Sequence, residues 1–88
     1  MPTPLNLIRR RKSYIFFNNV VTDMKDDGVE SQTIMKVSVR IYQRMAELGW
    51  LGNNRAMTFA WESMSQVFID TLKVSQELVD SVMTEITK

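Results

Sequence analysis

The side chains that could carry chemistry in this chain are carboxylates, amines, guanidiniums and hydroxyls. Its 88 residues include no His and no Cys. The most frequent general base, the most frequent transition-metal ligand and any thiolate nucleophile are therefore missing. Ser and Thr are present, but no base follows them in a spacing that would activate a hydroxyl. We therefore expect a protein that is not an enzyme and that holds neither a metal ion nor a cofactor.

Cationic side chains form two groups with the chemistry to bind phosphate or another anion. One group is consecutive near the N-terminus, and the other recurs every four residues. The members are Arg9, Arg10, Arg11 and Lys12 in the first group, and Lys36, Arg40 and Arg44 in the second. The first group gives residues 1–12 a charge of +4, whereas residues 13–88 carry 7 cations and 10 acids. This asymmetry predicts a basic arm on a mildly acidic body.

The length of the chain predicts one small domain. Pro2 and Pro4 disfavour an early helix, so we expect residues 1–12 to be a poorly ordered arm and residues 13–88 to form a single helical domain. No apolar run approaches the length of a membrane span, and the segment after the basic cluster does not read as a signal peptide. We expect a cytoplasmic protein.

Apolar residues recur at helical spacing through the chain, which predicts an all-α fold. A first helix is expected over about residues 14–25, with Ser13 as its N-cap and Gly28 beyond its end. A second helix is expected over about residues 29–48 and ends at Gly49. The predicted core residues of these two helices are Phe16, Phe17, Val20, Val21 and Met24, and Ile34, Val37, Ile41, Met45 and Leu48.

The longest amphipathic stretch covers residues 53–86, and Asn53 or Asn54 is the expected N-cap. A continuous helix of this length would be about 50 Å long. The alternative is a break near Val74, because Ser75-Gln76-Glu77 resembles a helix start, and this break would give a fourth, short helix. We predict a small bundle of three main helices, in which the first two pack on the C-terminal one.

The wide apolar stripe of this C-terminal stretch predicts a surface for a partner. Two shorter helices cannot cover all of it, so we expect an exposed apolar strip near Val79 to Ile86 that a homodimer or another protein covers. The predicted partner-binding residues are Phe59, Ile69, Val79, Val82, Met83 and Ile86. The first functional hypothesis is therefore a protein–protein interaction module of the accessory, adaptor or inhibitor type, a class that includes bacteriophage-encoded proteins.

Residues 28–37 read Gly-Val-Glu-Ser-Gln-Thr-Ile-Met-Lys-Val and resemble the turn and recognition helix of LacI-family repressors. The resemblance implies a helix-turn-helix protein whose recognition helix, about residues 30–48, presents Gln32 and Thr33 to DNA bases. The remaining candidate nucleic-acid contacts are Lys36, Arg40 and Arg44 on this helix and Arg9, Arg10, Arg11 and Lys12 in the arm. An ordinary helix–glycine–helix corner is the alternative interpretation of the same residues.

Trp50-Leu51-Gly52 lies near the middle of the chain. This tripeptide resembles the Trp-x-Gly turn of the WXG100 family. The resemblance implies a small secreted helical hairpin that dimerises. It gives the third functional hypothesis, after protein–protein interaction and DNA binding.

Overall fold

A computed structural model describes residues 4–86 of the chain. Five helices are present between these limits: α1 (Leu5–Ile8), α2 (Lys12–Asp26), α3 (Ser31–Glu47), α4 (Asn54–Leu72) and α5 (Gln76–Ile86). The same residues include no strand, which confirms the predicted all-α bundle. No helix within residues 4–86 combines the length and apolar character needed to cross a membrane. Residues 1–3 of the predicted arm and residues 87–88 of the predicted domain lie outside the described residues.

A glycine follows the end of α2 and the end of α3, as the sequence predicts. Gly28 and Gly49 have left-handed backbones, with φ of 84° and 75°. At the end of α3, the Gly49 N–H bonds to the Ala46 carbonyl at 3.1 Å and the Trp50 N–H bonds to the Met45 carbonyl at 3.0 Å. This pair of bonds is the Schellman motif, which satisfies carbonyls that the helix itself leaves without partners.

The starts of α2 and α4 differ in how they are capped. Asn53 caps α4 as predicted, because its side chain accepts a hydrogen bond from the Ala56 N–H at 2.9 Å. The prediction for Ser13 is wrong. Helix α2 begins two residues earlier than predicted, at Lys12, and the Ser13 hydroxyl donates to the Ser63 hydroxyl of α4 at 3.0 Å. A partner from another helix has replaced the local capping bond.

The C-terminal stretch is divided into α4 and α5, which is the alternative that the sequence left open. Lys73 ends α4 with a left-handed backbone, at φ 60° and ψ 30°. The Ser75 hydroxyl then accepts a hydrogen bond from the Leu78 N–H at 3.1 Å and so supports the start of α5. This break lets α5 turn back and pack against α3 and α4.

The core forms where α2, α3, α4 and α5 meet. Helix α2 packs most extensively along α4, and α3 contacts α2, α4 and α5. The apolar side chains that are completely buried are Phe17, Val21, Ile34, Met35, Val39, Met64, Val67, Phe68 and Val79. The helices of a small bundle each bury one stripe in this way, and that burial supplies most of the folding free energy.

The buried face of α3 differs from the predicted one. Val37 and Leu48 are 36% and 44% exposed, whereas Met35, Ser38 and Val39 are buried. Helix α3 lies between α2 and α5, so its buried stripe includes residues that a single apolar spacing does not select. Ser38 tolerates burial because its hydroxyl donates to the Ile34 carbonyl at 2.7 Å.

The predicted exposed strip near Val79 to Ile86 is wrong. Val79 is completely buried, and Val82 and Met83 are each 5% exposed. The physical reason is the break after α4, because α5 folds back and covers these side chains within the same chain. Ile86 is half-buried against this core. A second copy is therefore not needed to cover α5.

Candidate interaction site

Asp70 is the centre of a hydrogen-bonded group that joins the N-terminal segment to α4. Arg9 approaches the carboxylate with two nitrogens, Nε at 2.8 Å from Oδ2 and Nη2 at 3.1 Å from Oδ1. The Tyr14 hydroxyl donates to Oδ2 at 2.7 Å, and the Gln66 amide donates to Oδ1 at 2.8 Å. Bidentate pairing of a guanidinium with a carboxylate is among the stronger polar contacts in proteins.

The pKa values of Asp70 and Tyr14 follow from this arrangement. The hydrogen bond from Arg9, together with those from Tyr14 and Gln66, lowers the pKa of Asp70 from 3.8 to about 2, although partial burial acts in the opposite direction. Burial, and then the hydrogen bond to Asp70, raises the pKa of Tyr14 to about 12. Neither group exchanges a proton near neutral pH, so the group holds the fold together and does not suit acid–base catalysis.

Arg11 makes a second connection between the start of α2 and α4. Its guanidinium lies 4.5 Å from the centroid of the Phe59 ring, and its Nη1 donates to the Phe59 carbonyl at 3.2 Å and to Glu62 at 3.3 Å. The Arg55 guanidinium lies 5.4 Å from the same centroid. Phe59 is therefore half-buried beneath two cations, which attract the ring face.

The four cations of the predicted arm have two different placements. Arg9 and Arg11 pair with acids of α4, whereas Arg10 and Lys12 are exposed. No ion pair of Arg10 or Lys12 is formed with any side chain between residues 4 and 86. Only these two of the four cations keep their charge available to a partner.

An apolar cleft lies where the beginning of α2, the end of α3 and the beginning of α4 meet. Its volume is about 570 Å³, which is within the range of protein ligand sites. Its large apolar lining residues are Phe16, Phe17, Met45, Trp50, Leu51 and Phe59. Arg11 and Lys12 also line it, and no acidic residue of the described chain does so. The cleft is therefore apolar with a cationic edge.

Tyr42 fixes the position of the α3 side of this cleft. Its hydroxyl donates to the Met57 carbonyl at 2.9 Å, and its ring meets the Trp61 ring edge to face, with centroids 5.0 Å apart. The chain then turns at Gly49, so Trp50 follows the end of α3 directly. The Trp50 side chain is 72% exposed, more than any other large hydrophobic residue described.

The solvent-facing stripe of α2 continues from the cleft. We call it the α2 outer face, and it consists of Lys12, Ile15, Phe16, Asn19, Asp23 and Asp26, all of them exposed. Their spacing of three and four residues places them on one side of the helix. Ile15 and Phe16 are 51% and 41% exposed. Phe16 belongs to both surfaces and joins the outer face to the cleft.

The residues predicted to read DNA lie on the solvent side of α3. The exposed residues among them are Gln32, Thr33, Lys36, Arg40 and Arg44. Arg44 pairs with the exposed Glu47 at 3.1 Å, and no ion pair of Lys36 or Arg40 occurs within the described residues. These side chains are accessible together, but they lie apart from the apolar cleft.

The predicted partner-binding residues are not brought together on one exposed surface. Phe59 lines the cleft, Ile69 and Ile86 are half-buried against the core, and Val79, Val82 and Met83 are part of the core. The sequence analysis did not predict that Trp50 is exposed, although its position between Gly49 and Gly52 in a short connection favours exposure. It also missed Asp70, because no local pattern relates this residue to Arg9, which lies 61 positions earlier.

The described part of the chain holds no arrangement typical of a metal centre. Across residues 4–86, no group of three or more acidic side chains is placed to hold a metal ion. Comparison with protein families, with curated proteins and with solved structures finds no match to this chain. The chemistry of the surface itself therefore has to support any functional proposal.

Proposed function

We propose that this chain is a non-enzymatic interaction module that binds a protein surface through the apolar cleft and Trp50. The observation that carries the proposal is the exposure of Trp50, a residue that is 72% exposed to solvent. An exposed tryptophan beside an apolar cleft is an arrangement that buries a large area once a partner arrives. Trp and Arg are also the residues that most often dominate binding energy in protein interfaces.

The composition of the cleft supports a protein partner over a small molecule. Aromatic residues, Met and Arg are enriched in interfaces, and the cleft combines Phe16, Trp50 and Phe59 with Met45 and Arg11. The edge is open, so a peptide segment or helix can lie across it. A partner with apolar anchors and acidic flanks would match both the lining and the cations.

Replacement of Trp50 tests this proposal directly. A library of displayed peptides, selected on the unmodified protein, should yield binders that Trp50→Ala weakens about 30-fold, because truncation of a central anchor costs about 2 kcal/mol or more. Affinity would be measured by calorimetry with the selected peptides as free ligands. Leu48→Ala is the matched control, since Leu48 is 44% exposed but does not line the cleft.

Two results would contradict the proposal. One is a selection that yields no peptide whose binding depends on Trp50. The other is an equal loss of affinity in Leu48→Ala, which would indicate nonspecific hydrophobic attachment. Circular dichroism of both variants should show unchanged helicity, because the two side chains are exposed.

Helix-turn-helix binding of DNA is the second candidate function. The observation that favours it is the accessible group Gln32, Thr33, Lys36 and Arg40 on one side of α3, directly after the Gly28 turn. Such a helix could enter the major groove with its N-terminal residues toward the bases. Exposed acids at positions 26, 27 and 30 act against this function, because they would repel phosphates.

A fluorescence-anisotropy titration with a random DNA duplex tests this candidate. If α3 binds DNA, the affinity should fall steeply between low and moderate salt, as phosphate contacts release counterions. The double variant Lys36→Glu/Arg40→Glu should then abolish binding at unchanged helicity. Absence of binding at low salt, or equal binding by the double variant, would exclude this use of α3.

A further inference from the structure

The α2 outer face has an unusual order of charges. Its cation, Lys12, stands in the first turn of the helix, and its acids, Asp23 and Asp26, stand near the end. No side-chain hydrogen bond or ion pair of these three residues is present within the part of the chain that the structure describes. The internal contacts of the fold therefore do not account for these charges.

This order opposes the dipole of the helix. A helix carries partial positive charge at its N-terminus and partial negative charge at its C-terminus, so acids are favoured first and cations last. Helix α2 has no acid in its first turn and receives no side-chain cap, and the cation of its last turn, Lys25, lies off the outer face and donates to the Thr71 carbonyl at 3.0 Å. A local arrangement that costs stability in the isolated molecule commonly reflects a functional requirement.

We propose that the α2 outer face is the interface of a symmetric homodimer, in which the α2 helices of two copies pack antiparallel. In this arrangement the cationic start of each helix meets the acidic end of the other. The proposal goes beyond the proposed function, because it names a second copy of this chain as a partner at a surface that does not include Trp50. Charge complementarity between the two ends of one helix is the reason for choosing this partner.

One register brings Lys12 of each copy beside Asp23 of the other. With the two-fold axis beside the middle of residues 17 and 18, Lys12 and the partner's Asp23 lie level, each roughly 8 Å along the helix from the axis at 1.5 Å per residue. The pair occurs twice, because a two-fold interface repeats each contact. Ile15 and Phe16 of both copies then lie near the axis, and Asn19 lies beside them.

The apolar centre gives this interface its hydrophobic part. Ile15 and Phe16, which are 51% and 41% exposed in the single chain, would be removed from water together. Phe16 also lines the apolar cleft, so the partner helix extends along its edge. The face is about 22 Å long for 15 residues, which is small for a dimer, so we expect a complex that dissociates on dilution.

Sedimentation equilibrium of the full chain, from micromolar to millimolar concentration, tests the proposal through charge reversal. The unmodified protein should dimerise, and more weakly as salt rises. Lys12→Glu alone and Asp23→Lys alone should each weaken the dimer about tenfold or more, because each places like charges opposite one another twice. An equimolar mixture of the two variants should form heterodimers with the original affinity, as should the Lys12→Glu/Asp23→Lys double variant with itself.

The two charge reversals leave folding intact by design. Each moves charge in the direction that the helix dipole favours, so at a protein concentration low enough for monomers thermal unfolding should occur a few degrees higher than in the unmodified protein. Arg40→Glu and Glu85→Lys are the matched controls, since they reverse exposed charges on α3 and α5. Neither control should change the dimer affinity.

Three results would overturn the homodimer. These are an unmodified protein that remains monomeric at millimolar concentration, single variants that dimerise as well as the unmodified protein, and a mixture that fails to recover affinity. A monomer that still binds Trp50-dependent peptides would overturn the homodimer and leave the proposed function standing. A monomer that binds none would contradict both.

Discussion

Asp70 shows how much of this small fold depends on a single carboxylate. Arg9, Tyr14 and Gln66 all donate to it, and the Asp70 side chain is 19% exposed while that of Arg9 is 47% exposed. Its lowered pKa means that the folded protein favours the charged carboxylate. The lowered pKa corresponds to about 2 kcal/mol, and solvent screening of the half-exposed Arg9 reduces this to about 1 kcal/mol.

Replacement of Asp70 by Asn should lower the free energy of unfolding by about 1–2 kcal/mol at neutral pH. The change removes the negative charge, and it places the N–H groups of the new amide beside side chains that are themselves hydrogen-bond donors. The folded-state pKa lies below the ordinary value of 3.8. The stabilisation is therefore fully present above 3.8 and is lost as the pH falls through about 2. Urea unfolding of both proteins across this range should show the difference shrinking toward acid.

Asp23→Asn is the matched control for this prediction, since Asp23 is an exposed aspartate of the same chemistry. At a protein concentration low enough for monomers, its unfolding free energy should stay within about 0.5 kcal/mol of the unmodified protein. A difference for Asp70→Asn that does not change with pH would show that charge is not the source of the stabilisation.

The contacts of Asp70 illustrate what sequence patterns leave out. Arg9 and Asp70 are 61 positions apart, and no periodicity or motif relates residues at that separation. The sequence predicts one basic arm in which all four cations, Arg9 to Lys12, are available to a partner. The packing of α2 along α4 separates the four cations into two pairs. Arg9 and Arg11 form ion pairs with α4, whereas Arg10 and Lys12 remain exposed.

At the scale of elements, helix ends could be predicted well because their causes are local. Gly28, Gly49 and Asn53 act within a few residues of their own positions, by backbone conformation or by one side-chain bond. The break between α4 and α5 was recognisable as an alternative from Ser75. Its left-handed residue, Lys73, carries no such signal, because lysine rarely adopts this conformation.

Lys73 offers a test of that backbone strain. A left-handed conformation costs a residue with a Cβ about 1–2 kcal/mol, and glycine avoids this cost but gains freedom in the unfolded chain. Lys73→Gly should therefore stabilise the fold by about 0.5–1 kcal/mol, measured as a higher urea midpoint. Lys73→Ala, which keeps the Cβ, is the control and should show no gain. A loss of stability in the glycine variant would contradict the strain.

The orientation of α3 could not be predicted, because it depends on three neighbours. A helix that packs on one surface buries one stripe. The predicted stripe of α3 is Ile34, Val37, Ile41, Met45 and Leu48. Contacts with α2 on one side and α5 on another widen the buried region to Met35 and Val39. The position of α5 depends in turn on the break after α4. The expectation of a continuous C-terminal helix therefore affected two predictions, the buried face of α3 and the exposed strip of α5.

At the scale of the molecule, the exposed apolar residues lie mainly outside the surface that the sequence indicated. The apolar stripe of α5 is used for the core, and the exposed residues Ile15, Phe16 and Trp50 lie toward the opposite part of the chain. The sequence predicts an exposed apolar surface, but which apolar residues remain exposed depends on which helix faces the fold buries. A chain of this size has little core, so each buried stripe strongly affects what remains for a partner.

The break at Lys73 also affects when the helical core closes during synthesis. Helices α2, α3 and α4 precede α5 along the chain, but Val79, Val82 and Met83 of α5 close the core over α3. Until residues 76–86 have left the ribosome, the nascent chain exposes apolar side chains of α3 to water. The final closure is therefore expected after these residues emerge, and chaperones that bind exposed apolar segments would meet the chain at that stage.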